Sequence, residues 1–158
     1  MEIKRVVVTG LGAVTPLGND VVTTWENAIA GKSGAGPITQ FDASLFKTQF
    51  ACEVKNFDPS ELFDRKEARK YDRYAQLAIK AAKEAVENSG LEFEKENTDR
   101  IGVIFSAGIG GIKTFEEEVG GYYLEKDKGP RFNPFFIPKM IADIAAGHIS
   151  MIYGLRGP

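Results

Sequence analysis

The stretch that most constrains this chain is Ile3–Gly18, IKRVVVTGLGAVTPLG. Ile3 and Val6–Val8 form a β-branched apolar run that Gly10 ends. So short an apolar run predicts a strand buried on both faces, as in a parallel or mixed sheet with helices on each side. Gly10, Gly12 and Gly18, with Pro16, then break the regular backbone, and Asn19 or Asp20 is placed to cap a helix. Strand, glycine-rich loop and helix together open an α/β domain. A dinucleotide fold opens in a similar way, but its fingerprint needs a third glycine where helix meets sheet. Here Thr15 follows Gly12-Ala13-Val14 and Pro16 delays the helix, so no immediate helix N-terminus awaits a pyrophosphate.

The 158 residues suffice for one domain with a core. A net charge of −2 provides no overall basic field for nucleic acid. No apolar run reaches bilayer-spanning length, and MEIKRVVV lacks the long apolar core of a signal peptide. A single cysteine, Cys52, allows no internal disulfide and fits a reducing cytoplasm. No membrane partner, nucleic-acid partner, metal or cofactor is expected. GLRGP at the end is turn punctuation rather than a finish, so the chain is expected to be part of something longer.

Trp25, Ala28 and Ile29 lie at helical spacing, and Gly31 ends that helix. Phe50, Cys52 and Val54 alternate with Ala51, Glu53 and Lys55, which predicts a strand or extended segment. Asp58-Pro59-Ser60 reads as a turn or cap. Tyr74, Leu77, Ala78, Ala81, Ala82, Ala85 and Val86 mark one face of a long helix ended by Gly90. That face is mostly alanine, so a neighbour can approach closely. After the charged loop Leu91–Arg100, Ile101–Phe105 predicts a second buried strand. Lys113–Leu124 reads as helix with a break at Gly120-Gly121, and Glu125–Asn133 as turns. Pro134–Pro138 is an apolar segment braced by two prolines, and a final helix runs from Pro138 to Tyr153.

Several residues invite a functional reading. Cys52 sits between Ala51 and Glu53, with no basic neighbour to stabilise a thiolate, so a small buried structural cysteine is expected. His148 falls on the apolar stripe of the last helix and reads as a packed, hydrogen-bonded structural histidine. Ser106–Thr114, SAGIGGIKT, mimics a phosphate loop, yet Ile112 separates Gly111 from Lys113 where a P-loop has them adjacent. A tight strand-to-helix turn is the plainer reading. Arg65–Arg73, RKEARKYDR, holds five basic and two acidic residues, a local charge of +3. Two readings stay open for it: a solvated helix start, or a docking patch for an acidic partner. Cations near a helix N-terminus cost roughly 0.3–1 kcal/mol each at exposed sites, which favours a use.

VVVTGLGAVTPLG resembles the opening of the elongating β-ketoacyl-acyl-carrier-protein synthases, the condensing enzymes of fatty-acid synthesis. RKEARKYD, GIGG, PFFIP and ISMIYGLRGP resemble the same family in the same order, so the likeness spans nearly the whole chain. The resemblance implies a thiolase-like layered α-β-α-β-α fold, of which residues 1–158 are part of the N-terminal half, ending before the reactive-cysteine segment. It implies that Lys66, Arg69 and Lys70, with Arg131, face an acidic acyl carrier protein. The family often has a second basic residue after that arginine, where this chain has Phe132. The residue matching Ile109 lies at the floor of an acyl pocket, and the one matching Phe136 reaches across a homodimer interface to line the partner's pocket. The reaction implied is a decarboxylative condensation using a cysteine and two histidines. A chain with one histidine cannot hold that set, so no catalytic residue is expected here, and the remainder of the polypeptide is expected as a companion. A non-catalytic subunit like the chain-length factors of polyketide systems, and a nucleotide-binding α/β domain, are the alternatives.

Overall fold

The computed structural model describes residues 4–158, so Ile3 of the opening run lies outside the described residues. The chain divides into two compact units: residues up to Asp58 with Lys80–Leu91, and Pro59–Ile79 with Glu92–Pro158.

In the first unit, α1 spans Val21–Ile29. Asp20 caps it, its carboxylate accepting the Thr23 N–H at 2.7 Å. Gly31 leaves the helix at φ +65°. The strands β1 (Gly36–Pro37) and β2 (Phe50–Ala51) pair antiparallel, Gly36 opposite Ala51. Of the strand or extended segment expected over Phe50–Lys55, only Phe50–Ala51 pairs as a strand. Cys52 follows it and is exposed, which corrects the buried cysteine expected from the sequence. An isolated ribbon has no second layer to cover its side chains.

The opening run also departs from expectation. Val6 is 90% and Val8 79% exposed, and among the described residues no strand pairs with them. β-branched composition marks a segment able to be a strand, but a strand exists only through a neighbour that is remote in sequence. The glycine loop after the run lies against the later turns of α3 (Arg73–Ser89). The Glu84 carboxylate accepts the Ala13 N–H at 2.9 Å and the Val21 N–H at 2.8 Å, and Asn88 accepts the Leu11 N–H at 3.0 Å. A Cβ added at Gly12 would lie 1.9 Å from the Ala81 carbonyl oxygen. The alanine-lined face thus admits a close approach, and the glycine loop makes it.

In the second unit, the short helix α2 (Arg65–Ala68) precedes the first turns of α3. Asp64 caps α2 through the N–H groups of Lys66 and Glu67, both at 2.8 Å. The core here is Ala75, Ala78 and Ala145, with Tyr71 and Tyr74 packed on it. Ile101–Phe105 forms no strand among the described residues, and Ile104 is 99% exposed. Beside it runs the end of the chain, where the Gly157 N–H donates to the Ile101 carbonyl at 3.0 Å. The helix α4 (Ile112–Leu124) passes through Gly120-Gly121 unbroken. Glycine weakens a helix by about 1 kcal/mol relative to alanine without ending it, and the Tyr122 and Phe132 rings, 5.6 Å apart, hold its last turn.

The single helix expected over Pro138–Tyr153 is two: α5 (Phe136–Met140) and α6 (Ile144–Tyr153). The break lies at Ile141, whose backbone is extended (ψ 135°). The Met140 carbonyl accepts the Gly111 N–H at 3.0 Å, and the Ile141 carbonyl accepts the Tyr74 hydroxyl. Both acceptors that would have continued the helix are thereby used elsewhere.

Candidate functional site

The basic segment runs from α2 through its C-terminal cap, Arg69, and Lys70 to Arg73, the first residue of α3. Lys66 and Arg69 are exposed, and among the described residues neither has an acidic partner. Lys70 differs: it pairs with Glu67, one turn earlier, and that hydrogen bond holds its amine above the ordinary lysine range. Because α2 is only four residues long, Arg65 and Lys66 sit in its last turn as well as its first. The helix dipole therefore does not single out these cations for a use, whereas the unpaired, solvent-facing charges of Lys66 and Arg69 do.

Arg131 is not part of this cluster. It lines a separate surface cleft of about 210 Å³ with Glu117, Glu118, Glu125 and Tyr122. Three carboxylates share that cleft, so its field lacks the net positive charge that the basic segment presents.

The glycine turn after Phe105 leads into α4, and Ile109 stands at the rim of an apolar cavity of about 280 Å³. Ile112 and Phe115 of α4 form one wall, and Met140, Ile141 and Ala142 the other. Gly110 has φ +82°, and a Cβ there would meet the Met140 carbonyl at 2.5 Å. At Gly111 it would meet the Lys139 carbonyl at 2.3 Å. Both glycines allow two backbones to touch, as a tight turn requires. Ile109 is 68% exposed, so it edges the cavity rather than flooring it. Phe136 is not in the lining. It stacks on Phe132, with centroids 5.7 Å apart, and approaches Phe115 at 6.3 Å. Ile109 and Phe136 thus share an apolar neighbourhood through Phe115 but no common cavity.

Two buried groups escaped the sequence reading. Asp72 is 9% exposed and Thr114 3%. The Thr114 hydroxyl donates to one Asp72 oxygen, and the Tyr74 N–H donates to the other at 3.2 Å. An aspartate just ahead of a helix is a recognisable cap, but its second partner lies 42 residues away and left no local signal. His148 packs edge-on to Tyr71 as a structural histidine should. The expected hydrogen bond is missing: among the described residues its buried Nε2 has no partner. Desolvation holds its pKa below the ordinary histidine value.

Residues 3–158 match the beta-ketoacyl synthase, N-terminal domain, family. The chain is 47% identical over 156 residues to 3-oxoacyl-[acyl-carrier-protein] synthase 2 of Staphylococcus aureus (strain COL), covering 98% of this chain and 37% of that protein. It is 48% identical over 159 residues to the protein of the same name from Coxiella burnetii (strain RSA 493 / Nine Mile phase I), covering all of this chain and 38% of the relative. The chain therefore spans under two-fifths of the length of these relatives. Among solved structures it superposes on the ishigamide ketosynthase/chain length factor with a TM-score of 0.79 at 24% identity, covering 96% of this chain and 38% of that one. It superposes on a beta-ketoacyl synthase from Burkholderia phymatum STM815 with a TM-score of 0.78 at 22% identity, covering 99% and 38%. At such identities the likeness speaks for the fold: this is the N-terminal part of the thiolase-like α/β fold that the ketosynthases share. From its matched residues and its fold, the chain belongs to the beta-ketoacyl synthase family.

Proposed function

We propose that the polypeptide carrying this segment is an elongating 3-oxoacyl-[acyl-carrier-protein] synthase serving fatty-acid biosynthesis. The observation that carries the reading is the match of residues 3–158 to the synthase N-terminal domain, with both named relatives being 3-oxoacyl-[acyl-carrier-protein] synthases 2. In the reaction, an acyl group is held as a thioester on a cysteine of the enzyme. The C–CO2 bond of a malonyl-carrier thioester breaks, CO2 leaves, and the electron pair stays on the α-carbon. That carbon attacks the acyl carbonyl, a C–C bond forms and the C–S bond to the enzyme breaks. The enzyme thiolate is regenerated and the 3-oxoacyl group stays on the carrier.

This segment supplies docking and pocket elements rather than the nucleophile. Lys66 and Arg69 give an acidic carrier two unpaired cations, and Lys70 and Arg131 contribute less because carboxylates already face them. A ketosynthase with its acyl-carrier protein is among the solved structures of this fold. Ile109 edges the acyl pocket, and Phe136 lies beside it near the expected homodimer interface. The whole acts in the cytoplasm, and residues 1–158 alone are inactive.

The test is condensation by the full-length gene product, given an acyl-carrier and a malonyl-carrier substrate. Release of CO2 with formation of a 3-oxoacyl-carrier product is expected. Lys66→Glu or Arg69→Glu is expected to raise KM for the carrier about tenfold at low salt, and Lys70→Glu less. Absence of any condensation product overturns the reading. Equal effects at all three positions overturn the assignment of roles.

A further inference from the structure

Resting on the condensing reading above, we propose that the three-residue segment Asp72–Tyr74 is a specificity-determining support that fixes the width of the Ile109 cavity. The cavity has two walls. One is the start of α4, where Ile112 and Phe115 flank Thr114. The other is the α5–α6 break, Met140–Ala142. Each wall is held by one side chain of this short segment. The Asp72 carboxylate accepts the Thr114 hydroxyl, with both residues buried. The Tyr74 hydroxyl donates to the Ile141 carbonyl.

The two supports are rigidly related. The Asp72 carboxylate accepts the Tyr74 N–H and its main-chain carbonyl accepts the Gln76 N–H, so side chain and backbone are both tied to the first turn of α3 that carries Tyr74. The turn's own backbone closes the frame. The Gly111 N–H reaches the Met140 carbonyl, and Gly111 leaves no room for a side chain beside Asp72. A cavity whose opposite walls hang from one turn of helix has its separation set by that turn. The buried Thr114–Asp72 bond, made to a carboxylate, holds geometry more firmly than packing alone, and the Tyr74–Ile141 bond adds a directional tie on the other wall. The same turn directly follows the basic segment, so Asp72 and Tyr74 also place the cavity relative to Lys66 and Arg69. Asp72 and Tyr74 are positioning residues: they touch the wall-bearing segments and are not among the residues lining the cavity.

The experiment uses the full-length synthase and reads kcat/KM across a series of acyl-carrier substrates from short to long. Thr114→Val keeps the shape and removes the donor. Tyr74→Phe removes only the hydroxyl. Thr114→Val is expected to reduce the discrimination between the best and worst chain lengths about tenfold, the scale of one hydrogen bond to a buried carboxylate, and Tyr74→Phe about threefold, since its bond is neutral and partly solvent-exposed. Thr114→Ser, which keeps the donor, is expected to restore the profile. A uniform loss at every chain length, or an unchanged profile in a wild-type background that condenses normally, overturns the inference and leaves the proposed function standing. If Thr114→Val does not fold, the same readout on Tyr74→Phe decides. A wild-type protein that does not condense at all overturns the functional reading and this inference together.

Discussion

The His148 ring stands edge-on to Tyr71, with 4.6 Å between ring centroids, and its Nε2 is buried without a partner among the described residues. Burial disfavours the imidazolium, so the folded pKa lies below the ordinary value of 6.5. Above pH 6.5 the ring is neutral in both the folded and unfolded states and contributes no pH dependence. As the pH falls below 6.5, the unfolded state takes up a proton that the folded state resists, so stability is lost until the folded pKa is passed. The full-length protein is expected to lose melting temperature between about pH 7.5 and about pH 5.5, and His148→Leu to lose less over that interval. Thermal denaturation at both pH values checks this, and parallel shifts in wild type and variant would count against it. Asp20 runs the opposite way. Its cap bonds to Thr23 hold its pKa below 3.8, so that contribution is present above this value and is lost only in strong acid.

The opening loop and α3 meet backbone to backbone, which makes glycine obligatory there. A Cβ at Gly12 would come within 1.9 Å of the Ala81 carbonyl oxygen and 2.7 Å of the Ala85 nitrogen, atoms that cannot move without unwinding the helix. Gly12→Ala is therefore expected to destabilise by on the order of 3 kcal/mol, the upper range for overpacking a core. Gly120→Ala is the counter-test: it lies inside α4 with nothing within 4 Å of its added Cβ. It is expected to stabilise by about 1 kcal/mol through helix propensity. Urea unfolding of the two variants should shift in opposite directions. The same elements show what the sequence makes readable. The Asp20 cap, the extent of α3 and its close-approach face follow from local spacing, and the structure bears them out. The buried face of α3 does not follow cleanly. Its early turns bury Ala75, Ala78 and Ile79, whereas the apolar stripe marks Tyr74, Leu77 and Ala78. Tyr74 is instead turned to the Ile141 carbonyl, a partner 67 residues away. The strands expected over Val6–Val8 and Ile101–Phe105 do not form among the described residues for a related reason. Composition states that a segment can pair but not which segment it pairs with. At the site, the charge of α2 and the two-glycine turn were legible, while the Asp72–Thr114 bond is a long-range contact that no spacing encodes.

At the scale of the whole chain, the accounting of surface decides the behaviour. A self-contained protein of 17.3 kDa would expose roughly 7,800 Å². This chain exposes 11684 Å². Apolar side chains contribute to the excess: Val6, Leu45, Ile104 and Leu124 are each at least 89% exposed, and among the described residues no large side chain is fully buried. The fully or nearly buried hydrophobic residues are mostly alanines, which supply little of the transfer free energy that offsets chain entropy. Among the described residues the two short strands pair only with each other, and the apolar runs at Val6–Val8 and Ile101–Phe105 leave backbone without a strand partner, open to any passing strand. Residues 1–158 expressed alone are therefore expected to bind a hydrophobic dye strongly, to unfold in urea without a sharp transition and to aggregate as concentration rises. The full-length gene product is expected to unfold cooperatively and to leave the dye dark. Side-by-side dye titration and urea denaturation of the two proteins give the comparison. A cooperative, dye-silent residue 1–158 protein would mean that the apolar surface is covered within the segment itself, by a packing different from the one described here.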